Sequence, residues 1–576
     1  MSTNLIKSIQ YYVEKMLTQN SGMKILLLDE ETTQIISAVS TQSFLLSKET
    51  YLVDKIHNPN RENMKHLKCI IFIRPIDSSI TYLANELLNP KYGEYYIYFS
   101  NAIKKSVIET LAEHDEFEVV REIQEFYADY LAILPNMYNF GMNLEDYPMP
   151  LTSDVWSDTA LTRATQGLIS LFLSLKTKPN MIRYEANSNL AYQLAKELSY
   201  QIDLENNLFL SKSNNKGPLL LILDRKNDPI TPLLKQWSYQ AMLHEIFQIN
   251  NGRINLSDCP GIRPEYKEII ISADQDEFFR KSRLLNFGDL GISIKDYVSS
   301  FQQVSQDNQK LESISDMKNF VENYPEFKKL SGNVTKHVTL VGELSRMVTE
   351  RNLLVVSELE QGLACTEKLQ ADNKDLIDLI KNPKITYQDK MCCAIIFMLR
   401  YEKSQPQMII QLKDILRSIG FSNEHLAIAD QVLDYAGYKK RQGDLFNNEN
   451  IFSLGKSVIR GLKGVDNVYT QHTSNYVETL VKLVRAKPNS KIETLLPAYL
   501  GQDSKNQNSS YSVARPLNNQ TIIVFFIGGV TYAEEADIIK LQSQLADAQL
   551  EFVIGGTNII NSKMFLNHIA GFSSNV

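Results

Sequence analysis

Apolar residues along this chain come in short unbroken runs, separated by stripes at helical spacing. Residues 24–29, 51–56, 67–73 and 94–99 are such runs, each of strand length. Between the last two, Ile80, Leu83, Ala84, Leu87 and Leu88 recur on one helical face after Ser78, a candidate N-cap. A second short helix is expected over residues 106–112. Strands alternating with helices build βαβ units, and therefore a parallel sheet with helices on its faces. Residues 117–142 carry both periods and fit either element. Helices are expected over residues 159–176 and 184–202.

After Gly217-Pro218, five aliphatic residues run without a break to Asp224, the composition of a strand buried on both faces. The next residues cannot continue it. Pro229 and Pro232 lack a backbone donor and disfavour helical backbone at Asp228 and Thr231. Asp228 and Thr231 can cap local amides, and a long helix bearing Trp237, Ala241, Leu243 and Ile246 is expected from about Pro232. The stretch reads as buried strand, rigid charged elbow and helix, with Asp224, Arg225, Asp228, Pro229, Thr231 and Pro232 as its structural residues. Asp224 and Asp228 would suit a magnesium ion, but no third ligand or phosphate loop lies near them in sequence. Capping of the elbow and pairing with Arg225 is the reading adopted for both.

A short strand is expected over residues 269–272, and from 274 to about 438 the spacing is almost wholly helical. Residues 439–464 and 502–520 have loop composition. Residues 521–527 then form an apolar run ending in Gly528-Gly529, residues 532–548 a helix, and residues 551–554 a strand ending in Gly555-Gly556. The two Gly-Gly pairs lie 27 residues apart, the spacing of a βαβ repeat. These late strands need a sheet to join, and the 219–224 strand needs neighbours. One α/β domain interrupted by an all-α insertion supplies both.

At 576 residues the chain has room for three or four domains of roughly 150 residues each. A net charge of −7 lacks the basic surface of a nucleic-acid-binding protein. Five cysteines without a C-x-x-C pair point to reduced thiols and a cytosolic home. No run approaches the roughly 20 apolar residues that span a bilayer, and none resembles a signal-peptide core, so membrane association is expected to be peripheral and through partners. Candidate chemistry ends in near misses. His244-Glu245-Ile246-Phe247-Gln248 has Gln248 where a zinc-protease helix needs its second His. Gly455-Lys456-Ser457 has Asn450 where a phosphate loop needs its first glycine, and the glycine pairs at 528 and 555 are read as close helix–strand packing. The basic cluster Lys439, Lys440, Arg441, Lys456, Arg460 and Lys463 reads as a solvated loop. No metal, cofactor or catalytic site is expected; a binding protein is.

The elbow pattern Leu221-Ile222-Leu223-Asp224-Arg225-x-x-Asp228-Pro229-Ile230-Thr231-Pro232-Leu233 closely resembles the signature of the SM (Sec/Munc) family, regulators of SNARE-driven membrane fusion. Four further stretches resemble one branch of it: Asn89-Pro90-Lys91-Tyr92-Gly93-Glu94-Tyr95, the run from Tyr324 to Val334, the run from Lys463 to His472, and Phe526-Ile527-Gly528-Gly529-Val530-Thr531. The likeness spans nearly the whole chain. It implies an α/β fold with a large all-α insertion, arranged as a three-domain arch: residues 1–135, residues 136–250 with 475–576, and residues 251–474. It implies a non-enzymatic monomer that is cytoplasmic and peripheral on Golgi and endosomal membranes, acting in endosomal, Golgi and vacuolar traffic. The implied partners are a syntaxin-type SNARE and the assembled SNARE complex, with tethering factors as further candidates. The SNARE's N-terminal peptide would enter a pocket around Ile108, Leu111, Val119 and Val120. SNARE helices would meet a hairpin over residues 317–348, hinged at Pro325. Family members that clasp a closed syntaxin carry an Arg five residues after the first strand's Asp; here that Asp is Asp29 and the position holds Gln34, so that contact is missing. The alternative from a different class is a nucleotide- or phosphosugar-binding α/β enzyme, which a parallel sheet by itself would permit.

Overall fold

One parallel sheet, one mostly parallel sheet and a helical block account for the computed structural model, which describes residues 3–149, 151–209, 217–309, 314–446, 469, 471–486, 491–499 and 517–571. The chain divides into two units: Met1–Arg225 with Val481–Val530 and Leu545–Ile559, and Lys226–Leu480 with Thr531–Gln544 and Ile560–Val576.

In the first unit, Lys24–Leu28 (β1), Thr50–Lys55 (β2), Met64–Ile73 (β3), Tyr92–Phe99 (β4) and Val120–Glu125 (β5) form one sheet in the order β2-β1-β3-β4-β5, every pair parallel. Helices Leu5–Thr18 (α1), Glu30–Val39 (α2), Gln42–Ser47 (α3), Asp77–Leu88 (α4) and Lys105–His114 (α5) precede or connect these strands. All of β1 is buried, as unbroken apolar runs in a helix-covered sheet should be. Ile71, Ile73, Ile97 and Phe99 pack with Leu83 and Leu87 of α4 in its core. The expected cap at Ser78 is corrected: α4 begins at Asp77 with Ile76 at the N-cap and no side-chain cap bond.

The ambiguous stretch at 117–142 resolves into β5 and two short strands, Leu131–Leu134 (β6) and Met137–Asn139 (β7). These join Met181–Tyr184 (β8), Leu219–Asp224 (β9) and the strands Gln520–Ile527 (β12) and Leu550–Gly556 (β13) in a second sheet, ordered β6-β7-β13-β12-β9-β8. Asp158–Ser174 (α6) and Asn189–Leu204 (α7) belong to the same unit. Tyr184 therefore ends a strand, not a helix as its spacing predicts; α7 starts later, where Ser188 Oγ accepts from Ala191 N at 3.0 Å. Every residue of β9 is buried, flanked by β12 and β8. The glycine pairs also need correction. A Cβ on Gly555 would lie 2.5 Å from the Tyr138 ring, and one on Gly556 2.7 Å from the Phe526 carbonyl. Strand-to-strand approach, not helix packing, excludes side chains there. Gly528 and Gly529 turn the chain at φ +88° and +98°, left-handed values open to glycine.

The second unit is mostly helical. It holds Tyr239–Phe247 (α8), Glu277–Ser282 (α9), Phe287–Gln309 (α10), Ile314–Glu350 (α11), Leu353–Cys365 (α12), Leu369–Lys381 (α13), Tyr387–Tyr401 (α14), Pro406–Ser418 (α15) and Asn423–Ala436 (α16). Arg253–Asn255 (β10) and Glu268–Ile270 (β11) add an antiparallel ribbon. Helix α14 is buried at nearly every position from Asp389 to Tyr401, and α12, α13, α15 and α16 pack around it. No helix begins at Pro232: Thr231–Leu233 is a single 3-10 turn and α8 starts at Tyr239. Trp237 thus precedes the helix, and its Nε1 donates to Ser357 Oγ on α12 at 2.7 Å. Residues 447–464 and 502–516 of the two expected loops lie outside the described residues. No helix among the described residues is long and apolar enough to cross a membrane.

Candidate functional site

The elbow is tied down on each side of residue 225, within each unit. In the first unit, Asp224 Oδ2 accepts from the Ser188 hydroxyl at 2.6 Å and its amide donates to Glu185 Oε2 at 2.6 Å. Through Ser188, Asp224 orients the residue that caps α7. Arg225 is fully buried. Its Nη2 donates to the Gly529 carbonyl at 2.7 Å, and its guanidinium lies 4.8 Å from the centre of the Phe526 ring. In the second unit, Asp228 accepts from Thr231 N at 3.0 Å, from the Thr231 hydroxyl at 2.7 Å and from Asn475 N at 3.0 Å. The Thr231 hydroxyl also meets His472 Nε2 at 3.2 Å. Pro229 and Pro232 are buried beside them. A nearby cavity lined by Thr231, Pro232, His244, Glu245, Tyr532 and Asn561 measures about 20 Å³, room for a single water.

The four residues expected to line a peptide pocket divide in two. Leu111 is 2% exposed and belongs to the core of the first sheet. It is core, not surface. Ile108, three residues earlier on α5, is 40% exposed. Val119 and Val120 are half-buried against the same core, and Asp115 accepts their amides at 2.9 and 3.1 Å. Phe117, absent from the expected set, is 60% exposed. Asp29 caps α2 through Thr32 and also accepts from Arg74 N at 2.6 Å and the Ser79 hydroxyl at 2.9 Å. Gln34 sits on the exposed face of α2.

Helices α10 and α11 pack against each other, with the Phe301 and Phe327 rings 5.6 Å apart. The hairpin expected over residues 317–348, hinged at Pro325, is instead one arm of this pair, and Pro325 marks no break in it. Pro325 lies inside α11, which runs unbroken from Ile314 to Glu350. A proline removes the bond to the carbonyl four residues earlier, yet α11 continues through the exposed Pro325. The N-terminal end of α9 meets α11. Asp276 Oδ2 binds His337 Nε2 at 2.9 Å and the Lys336 ammonium, and His337 Nδ1 meets the Tyr239 hydroxyl at 2.8 Å. Burial works against the Asp276 charge, but hydrogen bonds from His337 and Lys336 outweigh it and hold the pKa below the usual carboxylate range.

One constellation escaped the sequence reading. Buried Lys235 Nζ lies 3.2 Å from Glu245 Oε1, 3.2 Å from Asp389 Oδ1 and 3.6 Å from Glu360 Oε1. Arg351, just past α11, grips Asp389 in turn at 2.8 and 3.2 Å. Burial drives the Glu360 carboxyl up to about 7, against the pull of Lys235. Burial lowers the Lys235 pKa, but Glu360, Glu245 and Asp389 more than reverse this and keep the ammonium charged. The available signal was a charge within an apolar stripe, as with Glu360 between Leu359 and Leu363 on α12.

The Sec1 family profile matches residues 24–568. The vacuolar protein sorting-associated protein 45 of Mus musculus is 44% identical over 98% of this chain and 96% of its own length. That of Schizosaccharomyces pombe is 42% identical over the full length of both. A solved structure described as the SM protein Vps45 in complex with the Qa SNARE Tlg2 superposes with a TM-score of 0.89 at 42% identity, covering 98% of this chain and 97% of that one.

Proposed function

The chain belongs to the Sec1 family, and from that membership we propose that it is a non-enzymatic regulator of SNARE-mediated vesicle docking and fusion that binds a syntaxin-type (Qa) SNARE. The observation that carries this reading is the similar Vps45, bound to the Qa SNARE Tlg2 in its own structure. In this reading the SNARE's N-terminal peptide rests on the face of α5 and β5, against Ile108, Val119 and Val120 with Phe117 beside them and Leu111 beneath. SNARE helices engage the α10–α11 hairpin. The division into residues 1–135, residues 136–250 with 475–576, and residues 251–474 belongs to the same reading. So does action on Golgi and endosomal membranes, reached through the partner; the vacuolar sorting in the relatives' names supports it.

Calorimetry with the cytoplasmic region of Tlg2 and with its N-terminal peptide tests the proposal. Both are expected to bind. Ile108→Arg is expected to weaken the peptide at least about tenfold while leaving the melting temperature unchanged, because an anchor in a small interface carries about 2 kcal/mol or more and an arginine there can reach water. Failure of the whole cytoplasmic region to bind would overturn the function. Undiminished peptide affinity in the variant would move the peptide site elsewhere.

A further inference from the structure

Helix α9 is only six residues long, yet it touches both arms of the hairpin, α11 beside the end of its burial and α10 at Tyr297, beyond its last buried residue Leu290. On α10, Leu290 is buried, and none of residues 291–306 is. On α11, Val334, His337, Leu340, Leu344 and Val348 are buried, and none of residues 324–333 is. The projecting segments of the two helices therefore lean mainly on each other, and a helix pair without a third element is marginally ordered in water. At the boundary, the Phe278 ring stacks on Tyr297 of α10 with centroids 4.4 Å apart and planes 10° from parallel. The same ring meets His337 of α11 at 4.8 Å. Asp276, the N-cap of α9, accepts from Phe279 N at 3.0 Å and fixes Lys336 and His337 with the same carboxylate. His337 is fully buried, with both ring nitrogens engaged.

We propose that α9 is a clip that sets the pose of the α10–α11 hairpin, with Asp276 and Phe278 as positioning residues for the helix the hairpin receives. The proposal rests on the SNARE reading for the identity of that helix, but not for the clip itself. Geometry gives the clip leverage. The part of α11 from Ile314 to Val334 spans about 30 Å, so a tilt of about 10° at the root moves its far end by about 5 Å. That is about one helical turn, enough to take a docking stripe out of register.

Hydrogen exchange and Tlg2 binding on the full chain separate the possibilities, using Phe278→Ala and, should that variant fold poorly, Tyr297→Ala, which removes only the half-buried α10 side of the stack. Amides of residues 291–306 and 324–333 are expected to exchange at least about tenfold faster, with those of residues 340–350 unchanged. Affinity for the Tlg2 SNARE helix should fall about tenfold while affinity for the Tlg2 N-terminal peptide holds. Unchanged exchange in the hairpin overturns the clip, as does a uniform rise across the helical unit, which would make Phe278 ordinary core. Faster exchange with undiminished SNARE-helix binding overturns the positioning role. Faster exchange in a protein whose wild type binds no Tlg2 keeps the clip and sinks only the SNARE reading.

Discussion

From Val334 to Val348, helix α11 buries a residue every three or four positions; from Tyr324 to Asn333 it buries none. The apolar stripe does not stop between these halves, for Phe327 and Leu330 continue it and are half-buried. What changes is the company. The later half has α8, α9 and α12 beside it as well as α10, and beyond its end Arg351 grips Asp389 in the Lys235 cluster. The earlier half has α10. Helical periodicity thus declares which face of a helix is apolar, while the number of neighbours decides how much stability that face contributes. A fully buried leucine contributes about 1.5–3 kcal/mol, and a half-covered one correspondingly less.

Substitutions test how far burial and its partners set stability. The largest effect is expected from Lys235→Met, which leaves three buried carboxylates without their shared cation: a loss of about 3–5 kcal/mol, read from denaturant unfolding. Leu340→Ala, fully buried in the anchored half, should cost about 2–5 kcal/mol. Glu360→Gln should act mainly on pH dependence. With a folded pKa of about 7 against an ordinary 4.5, Glu360 binds more protons folded than unfolded between those values, so its contribution to stability falls as pH rises through that window. Melting temperatures across it should decline in the wild type and decline less in the variant; an identical slope would contradict the assignment. Pro325→Ala returns a donor to a helix that already passes through the position, a local gain of up to about 3 kcal/mol. Slower hydrogen exchange over residues 321–329 with little change in global melting is the expected outcome. Smallest of all is Val338→Ala, 44% exposed on the anchored half, at no more than about 0.5 kcal/mol.

How legible each feature was follows from the distance between its partners. Strands β1 and β9 were readable because an unbroken apolar run records burial on both faces, whereas the apolar run of β2 lies at a sheet edge and leaves Tyr51, Leu52 and Val53 exposed. Asp228 and Thr231 were readable because they lie three residues apart, so that the Asp228 carboxylate accepts from both the amide and the hydroxyl of Thr231. Asp224 was not fully readable, since its partners Ser188 and Glu185 come from the start of another strand–helix connection. The Lys235 cluster joins α8, α12 and α14, and no local spacing announces it. Ile108 and Leu111 share a helical face by spacing, yet differ in exposure because one points at the edge of that face and the other at its centre. Pro325 misled because a proline within a long helix removes one backbone bond without ending the helix, and the bonds on either side carry α11 through it.

The strand order of the second sheet carries a consequence for how the protein is made. Its outer strands β6, β7, β8 and β9 are encoded before residue 225, while β12 and β13, which fill the gap between β7 and β9, come after residue 519. A ribosome therefore delivers two open strand edges and then most of the helical unit before it delivers the pieces that close them. At about 5–20 residues per second that interval is on the order of tens of seconds, with apolar edges exposed to pairing with other chains throughout. Nascent chains should need a guardian during this interval, and chains stopped short of β12 should be captured by aggregation or degradation however well their helices fold.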